Sequence, residues 1–187
     1  MKWGETMRRL KVDLEELEIA FDNSFPEHRH FLDLESGKVI LVTDETSSEL
    51  EEVYAELPED AEPAQIVEAI RQRNLQDWQT EELLQGDQVE RGYGTRYIGV
   101  EPRDPHADYR DMEGFIATVK DARLRDRLSR AISGRAAFRY FKDVLEDHPR
   151  ERERWFAFKD TQVRQRVLDW LTAEDIEPII EPNDQPG

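Results

Sequence analysis

The feature that most constrains the fold is the helical periodicity of the C-terminal part of the chain. From residue 105 onward, apolar residues recur every three or four positions, which is the spacing of one helix face. Gly134 and Pro149 are typical of a helix end and a helix start. We therefore predict a helical bundle over 105–175, with helices over 109–119, 122–133, 136–146, 149–160 and 161–172. The large apolar side chains expected to share its core are Leu124, Leu128, Phe138, Phe141, Trp155 and Trp170.

A β-hairpin is predicted nearer the N-terminus. Residues 30–34 and 38–42 are short apolar segments typical of strands, and Gly37 lies between them. Glycine adopts the positive φ of a tight turn at little cost. Further strands are predicted over 97–100 and 176–180, the latter at an edge because Pro178 has no backbone N–H. The predicted fold class is α+β, with a small antiparallel sheet built on the hairpin and packed with the C-terminal helical bundle.

The first half of the chain also carries helix signals. Asp13 suits an N-cap, and Glu16 follows three residues later, as in a capping box. The first predicted element is therefore a short N-terminal helix that precedes the hairpin. After the hairpin, the acidic segment 44–63 is expected to hold one exposed helix over 47–57, followed by a solvated linker.

Two more helices are predicted before the third strand. Pro63 is typical of the first turn of a helix. A further helix is predicted from Asp77 to Gly86, where the glycine is expected to end it. The segment 87–95, which contains two glycines, is then expected to be a loop.

Length and composition bound the class of protein. A chain of 187 residues suits one domain, which we place over residues 1–180, with a polar, disordered tail over 181–187. The absence of cysteine excludes disulfides, thiolate metal ligands and thiol catalysis. The sequence shows no secretory signal and no membrane span, so we expect a cytoplasmic protein without membrane association.

The charge of the chain is unevenly distributed. The net charge is −17, yet residues 120–166 hold 14 basic and 8 acidic residues, so that segment carries +6 and the remainder −23. An acidic surface keeps a protein hydrated and repels its own copies. A general acidic bias would have made residues 120–166 acidic as well, so this asymmetry indicates a specific surface.

Basic residues of this segment are the candidate ligand-binding residues. Arg135, Arg139 and Lys142 have the spacing of one helix face, and Arg127 and Arg130 lie on the preceding predicted helix. Guanidinium groups near aromatic rings suit phosphates and stacked bases. If this surface binds a partner, the pattern indicates an acidic protein or an RNA. The alternative is an ordinary amphipathic bundle whose arginines pair with neighbouring carboxylates.

Two motifs of the helical region are long and specific. Residues 131–143 read AISGRAAFRYFKD, and residues 154–158 read RWFAF. With the N-terminal helix and the hairpin FLDLESGKVILV, they resemble the UPF0158 proteins, a bacterial family. The family hallmark is Ala-Ile-x-Gly-x-Gly-Ala-Phe-Arg-x-Phe-Lys-Asp followed by Trp-aromatic-x-Phe, and Ala136 stands where its second glycine is usual. The resemblance covers most of residues 10–178 and implies an architecture, but it implies no activity.

Other polar groups of the sequence are candidates for reactive sites. Asp104, His106 and Asp108 could hold a metal ion or act as acid and base, although Asp104 also suits a helix N-cap. His28 and His30 share one side of a strand, which can seat a metal, but no third ligand is visible. The sequence contains no nucleophile motif and no phosphate-binding loop. We therefore expect no metal site and no cofactor.

Two classes of function remain open. The favoured one is a non-enzymatic binding module whose Arg-rich helical face engages an acidic protein or an RNA partner. The alternative is an enzyme that acts on a phosphorylated or nucleic-acid substrate through an acid–base residue that the sequence does not identify. A deep pocket joining Arg139 and Lys142 to an acid or a histidine would favour the enzyme. The sequence leaves the oligomeric state open.

Overall fold

The computed structural model describes residues 7–101, 104 and 106–179. Within these ranges the chain forms five strands and eight helices, which confirms the predicted α+β fold. In chain order the elements are β1 (Arg8–Leu10), α1 (Leu14–Phe21), β2 (His28–Asp33), β3 (Val39–Thr43), α2 (Asp44–Ala55), α3 (Pro63–Gln72), α4 (Asp77–Gly92), β4 (Tyr97–Gly99), α5 (Ala107–Thr118), α6 (Ala122–Ile132), α7 (Ala137–Glu146), α8 (Pro149–Ala173) and β5 (Ile176–Pro178). The tail predicted over 181–187 lies outside the described residues.

The chain groups into two compact units. The mixed unit contains residues 1–102 and 171–187, and the helical unit contains residues 103–170. The five strands belong to the mixed unit, whereas α5, α6, α7 and most of α8 belong to the helical unit. The single domain that the sequence predicts over residues 1–180 stays a prediction.

The mixed unit contains a three-stranded antiparallel sheet in the order β3-β2-β4. The predicted hairpin is confirmed, because β2 pairs antiparallel with β3 and places Phe31 opposite Ile40. The predicted third strand is β4, which pairs with the other side of β2. One buried cluster consists of Phe31, Val42, Val89 and Tyr97. Since α4 carries Val89, this helix packs against the sheet.

Gly37 occupies the turn of the hairpin for two reasons. Its φ is +73°, in the left-handed region that side chains disfavour. A Cβ at this position would also collide with the backbone carbonyl oxygen of Lys11. The turn therefore packs directly against the backbone segment that precedes α1.

A second, two-stranded sheet joins the two ends of the described chain. β1 pairs in parallel with β5, and Arg8 lies opposite Ile176. The backbone N–H of Ile179 donates to the carbonyl oxygen of Leu10 at 2.9 Å. The predicted strand over 176–180 is thus found over Ile176–Pro178, while residue 180 lies outside the described ranges. The sequence does not predict β1, because a strand of 3 residues carries no periodic signal.

Helices α1 and α2 begin at side-chain caps. The Asp13 carboxylate accepts the backbone N–H of Glu16 at 3.0 Å, which confirms the predicted cap of α1. The Thr43 hydroxyl accepts the backbone N–H of Thr46 at 3.1 Å and starts α2 at Asp44. The predicted start of this helix at residue 47 is wrong. Thr43 is both the last residue of β3 and the N-cap of α2, so the helix follows the strand directly.

The acidic segment is not an exposed helix throughout, which corrects the prediction for residues 47–57. Helices α2, α3 and α4 share a buried cluster that consists of Leu50, Val53, Ile70 and Leu83. Helix α3 begins at Pro63, as predicted. The acidic residues of α2 therefore occupy its outer face only, and its apolar face contributes to the core of the mixed unit.

Helix α4 continues past Gly86, so the predicted helix end and the predicted loop after it are wrong. A Cβ on Gly86 would lie 2.7 Å from Leu50 Cδ1, so glycine here permits close packing of α4 on α2. The next residue, Asp87, is fully buried and accepts hydrogen bonds from Tyr54 Oη at 3.1 Å and from the Arg91 guanidinium. Burial, together with the Asp87 charge, raises the pKa of Tyr54.

The helical unit is built around an aromatic core. Phe141 is fully buried, and its ring centroid lies 4.8 Å from that of Trp155. Three other predicted core residues belong to the same cluster or pack against it: Leu124, Leu128 and Phe138. Trp170, predicted for this core, is buried outside the cluster.

Helix α8 is one helix of 25 residues, which corrects the two shorter helices predicted there. The Thr161 hydroxyl donates to the Ala157 carbonyl at 2.9 Å, so it is satisfied within the helix and does not cap a new one. Further along, the Arg166 guanidinium binds both oxygens of the buried Asp111 carboxylate, at 2.9 and 3.1 Å. This pair fixes α8 against α5.

Candidate anion-binding groove

Helix α6 presents arginines to solvent because its opposite face is buried. The carboxylate of Asp121 caps its N-terminus by accepting two backbone N–H groups. The buried face consists of Leu124, Leu128 and Ile132. Arg127 and Arg130 fall on the exposed side, as the helical spacing predicts.

The turn between α6 and α7 depends on Ala136. Its φ and ψ are +58° and +33°, in the left-handed region, and α7 begins at the next residue, Ala137. The sequence places the helix stop at Gly134, which does not adopt a positive φ. The left-handed residue redirects the chain, so Arg135 lies before α7 and outside the helical spacing of Arg139.

This arrangement forms an open groove of about 660 Å³, which we name the arginine groove. Its lining residues are Arg127, Arg130, Ala131, Ser133, Gly134, Arg135, Tyr140, Asp143 and Val144. Ligand sites in proteins typically have volumes of roughly 300–1,000 Å³. Three guanidinium groups therefore line a space large enough for a phosphate-bearing group.

The structure brings three of the five predicted ligand-binding residues to the groove. Arg127 and Arg130 come from α6, and Arg135 comes from the turn. Arg139 and Lys142 are exposed on α7 but do not line the groove. The stripe of Arg135, Arg139 and Lys142 that helical spacing predicts is therefore divided. Arg135 lies outside α7, the helix that carries Arg139 and Lys142.

The groove arginines are only weakly paired. The Arg127 guanidinium lies 3.6 Å from the Asp147 carboxylate, and that of Arg130 lies 3.3 Å from the Asp126 carboxylate. Exposed pairs of this kind contribute about 0–1 kcal/mol, so a ligand can replace them at little cost. Arg135 forms no ion pair with any residue that the structure describes. The amphipathic-bundle alternative thus accounts for two of the three arginines.

Positive charge is concentrated around the groove. Residues 122–142 contain six arginines and one lysine against a single acid, Asp126. Within the lining, Asp143 is the one carboxylate beside three guanidinium groups. A cationic concave surface on a chain of net charge −17 attracts anions locally while the rest of the molecule repels them.

Tyr140 is a functional candidate that the charge pattern of the sequence does not identify. Its side chain is 54% exposed and lines the groove, whereas Phe141, the next residue, is fully buried. Successive residues of a helix are rotated by about 100°, so the burial of Phe141 directs Tyr140 away from the core. The sequence contains this signal, because the helical spacing that buries Phe141 leaves the ring of Tyr140 outside the core.

The other polar candidates lie outside the groove, and Asp104 among them has structural partners. Asp104 behaves as a cap: its carboxylate accepts the N–H of His106 at 2.8 Å and binds Arg110, and these bonds lower the pKa of Asp104. His28 and His30 both lie on β2, where burial and the neighbouring His28 lower the pKa of His30. Among the described residues, no group of three His, Asp or Glu side chains is placed to hold a metal ion. None of the helices in those ranges has the length and apolar character that a membrane crossing requires.

The fold and the groove define an α+β protein with a cationic helical surface, and comparisons with known proteins place it in a family. A model of the uncharacterised protein family UPF0158 matches residues 74–186, which is more than half of the chain. One relative, the UPF0158 protein PA5073 of Pseudomonas aeruginosa, is 28% identical over 172 residues, which cover 92% of this chain and 88% of the relative. No solved structure matches. The chain therefore belongs to the UPF0158 family, which confirms the resemblance found in its motifs.

Proposed function

We propose that this protein is a binding module that engages an anionic partner through the arginine groove. The observation that carries the proposal is the meeting of Arg127, Arg130 and Arg135 at one open concavity. Guanidinium forks bind phosphates and carboxylates through paired hydrogen bonds. Arg139 and Lys142, exposed on α7, extend the positive surface that this partner meets.

The lining of the groove supports binding over catalysis. Ser133 is its one hydroxyl besides Tyr140, and the Ser133 Oγ donates to the carbonyl oxygen of Arg130 at 2.8 Å. Histidine is absent from the lining, and its one carboxylate, Asp143, is exposed. An acid–base enzyme would need a positioned proton acceptor beside its nucleophile. Recognition by charge and shape needs only the arginines and the open groove.

The first test is charge reversal in the groove. The variant R127E/R130E/R135E should lose retention on immobilised heparin, a polyanion that the wild type should retain at low salt. The matched control is R71E/R150E/R152E, which makes the same charge change at exposed arginines that do not line the groove. The control should elute within a small margin of the wild type. Equal losses in both variants, or no retention of the wild type, would refute the proposal.

The second test blocks the groove without changing its charge. Gly134 lines the groove, its φ is not positive, and a Cβ built there meets no heavy atom within 4 Å. The variant Gly134→Leu should therefore fold normally, with a thermal midpoint near that of the wild type. Its larger side chain should reduce heparin retention. Unchanged retention in a folded Gly134→Leu variant would show that the anion binds elsewhere.

A further inference from the structure

We infer that the anion bound in the arginine groove is single-stranded RNA, an inference that rests on the proposed function and names its partner. The groove offers three kinds of group that one nucleotide uses. Arg127, Arg130 and Arg135 are placed for phosphates, Tyr140 is placed for a base, and Asp143 is placed for a ribose hydroxyl.

The case for a base is the exposed ring of Tyr140. Its side chain is 54% exposed, and it makes no ring–ring contact with any residue that the structure describes. A tyrosine ring at the wall of a guanidinium-lined groove is the platform on which proteins stack unpaired bases. A carboxylate-bearing peptide segment would bind the arginines but would leave this ring unused.

The case for a single strand comes from charge and shape. The groove is open, so a polymer can pass through it and is not confined to an enclosed cavity. The strongly positive segment is short, residues 122–142, and the chain as a whole carries −17. A long duplex presents many phosphates along a rigid rod, and the net negative charge of the chain would repel it. A flexible strand can instead present a few phosphates to the groove alone.

The case for RNA over DNA comes from Asp143. A carboxylate in a cationic site opposes phosphate binding unless it meets a hydrogen-bond donor of the ligand. Asp143 forms no ion pair with a described residue, although three arginines line the same groove. Carboxylates accept hydrogen bonds from ribose 2′-hydroxyls. Asp143 therefore gives the groove a means to recognise the 2′-OH, which DNA lacks.

The experiment measures binding of a fluorescein-labelled single-stranded RNA of about 12 nucleotides, a length within the usual site size, by fluorescence anisotropy. Tyr140→Ala should weaken binding about tenfold, since a stacked base contributes on that scale. Tyr140→Phe should restore affinity to within about twofold, because it keeps the ring. Tyr109→Ala is the matched control, since Tyr109 is also exposed in the helical unit but does not line the groove. It should bind like the wild type.

Two further measurements separate the RNA inference from the proposed function. The wild type should bind RNA more tightly than DNA of the same sequence, and Asp143→Ala should remove that preference. The logarithm of the RNA association constant should fall with the logarithm of salt concentration with a slope of about −2, as three phosphate contacts predict. A poly-glutamate peptide that binds as tightly as the RNA, with Tyr140→Ala leaving both affinities unchanged, would overturn the RNA inference and leave the proposed function standing. If every groove variant keeps the heparin retention of the wild type, both the proposed function and the RNA inference are wrong.

Discussion

Arg96 binds Asp33 through two hydrogen bonds, from Nε to Oδ1 at 2.9 Å and from NH2 to Oδ2 at 2.7 Å, although 63 residues separate them. Asp33 ends β2, and Arg96 directly precedes β4. The same carboxylate accepts the backbone N–H of Glu35 at 3.0 Å and the hydroxyl of Ser36 at 2.7 Å. One buried side chain therefore fixes both the hairpin turn and the third strand of the sheet.

We expect Asp33→Asn to destabilise the protein at neutral pH. The amide keeps the size of the side chain but loses the charge, and its N–H₂ group faces the donors that one carboxylate oxygen accepts in the wild type. The expected loss in the free energy of unfolding is about 2 kcal/mol, since hydrogen bonds to a charged partner contribute on that scale and buried donors are left unpaired. Urea denaturation at pH 7 measures the loss.

Glu35 provides the matched control for this change. Its carboxylate also contacts Arg96, at 2.9 Å, but its side chain is 67% exposed. Exposed ion pairs contribute little, so Glu35→Gln should change the free energy of unfolding by less than about 0.5 kcal/mol. Similar losses in both variants would show that burial of Asp33 is not the source of the effect.

The Asp33 contribution should also depend on pH. Hydrogen bonds from Arg96, with those from Glu35 and Ser36, hold the pKa of Asp33 well below its usual range. The unfolded pKa is about 3.9, so the charged carboxylate contributes its full stability above that value and loses it as the pH falls toward the folded pKa. The difference in unfolding free energy between the wild type and Asp33→Asn should therefore be constant from about pH 7 to pH 5 and shrink below pH 4. A difference that stays constant down to about pH 3 would contradict this account.

Truncation of the helical core should be more costly. Phe141 is fully buried between Trp155 and Phe115, with ring centroids at 4.8 and 6.1 Å. Phe141→Ala should lower the free energy of unfolding by about 3–5 kcal/mol, the usual cost of removing a buried aromatic ring. Phe156, which is 48% exposed on α8, gives the matched comparison. Phe156→Ala should cost under about 1 kcal/mol in the same denaturation experiment, and a larger cost than that of Phe141→Ala would show that the core is misassigned.

The parts of the fold that the sequence predicts are those with local signals. Asp13 caps α1 through a bond to a residue three positions away, and Gly37 supplies the positive φ of the hairpin turn. β1 has no such signal, since its partner β5 lies at the opposite end of the described chain. Gly86 resembles a helix stop in sequence, but its absent side chain serves the contact with Leu50, a neighbour that only the tertiary fold supplies.

The candidate site was predictable in part for the same reason. Burial of the α6 apolar face places Arg127 and Arg130 outside, and the sequence shows this periodicity. The helical spacing that predicts Arg135 on one face with Arg139 does not hold, because the left-handed Ala136 interrupts the helix between them. An alanine in the sequence does not indicate a left-handed backbone, so the spacing of the lining residues does not predict the groove.

That left-handed alanine gives the last prediction. Ala136 has φ +58°, which costs an L-residue about 1–2 kcal/mol relative to the right-handed region. It also stands where the UPF0158 hallmark has glycine, a residue that adopts this conformation without strain. Glycine makes the unfolded chain more flexible, which offsets part of the gain, so Ala136→Gly should raise the free energy of unfolding by about 0.5–1 kcal/mol.

The neighbouring residue supplies a control of opposite sign. Ala137 begins α7 in right-handed helical geometry, where glycine is less favourable than alanine by about 0.5–1 kcal/mol. Ala137→Gly should therefore destabilise the protein in the same urea titration in which Ala136→Gly stabilises it. The two variants make the same chemical change one residue apart, but at opposite backbone conformations; Ala137 also packs against the helical core, which adds to its loss. If both variants lose stability, Ala136 is not left-handed in solution, and Arg135 returns to the helical stripe with Arg139 and Lys142.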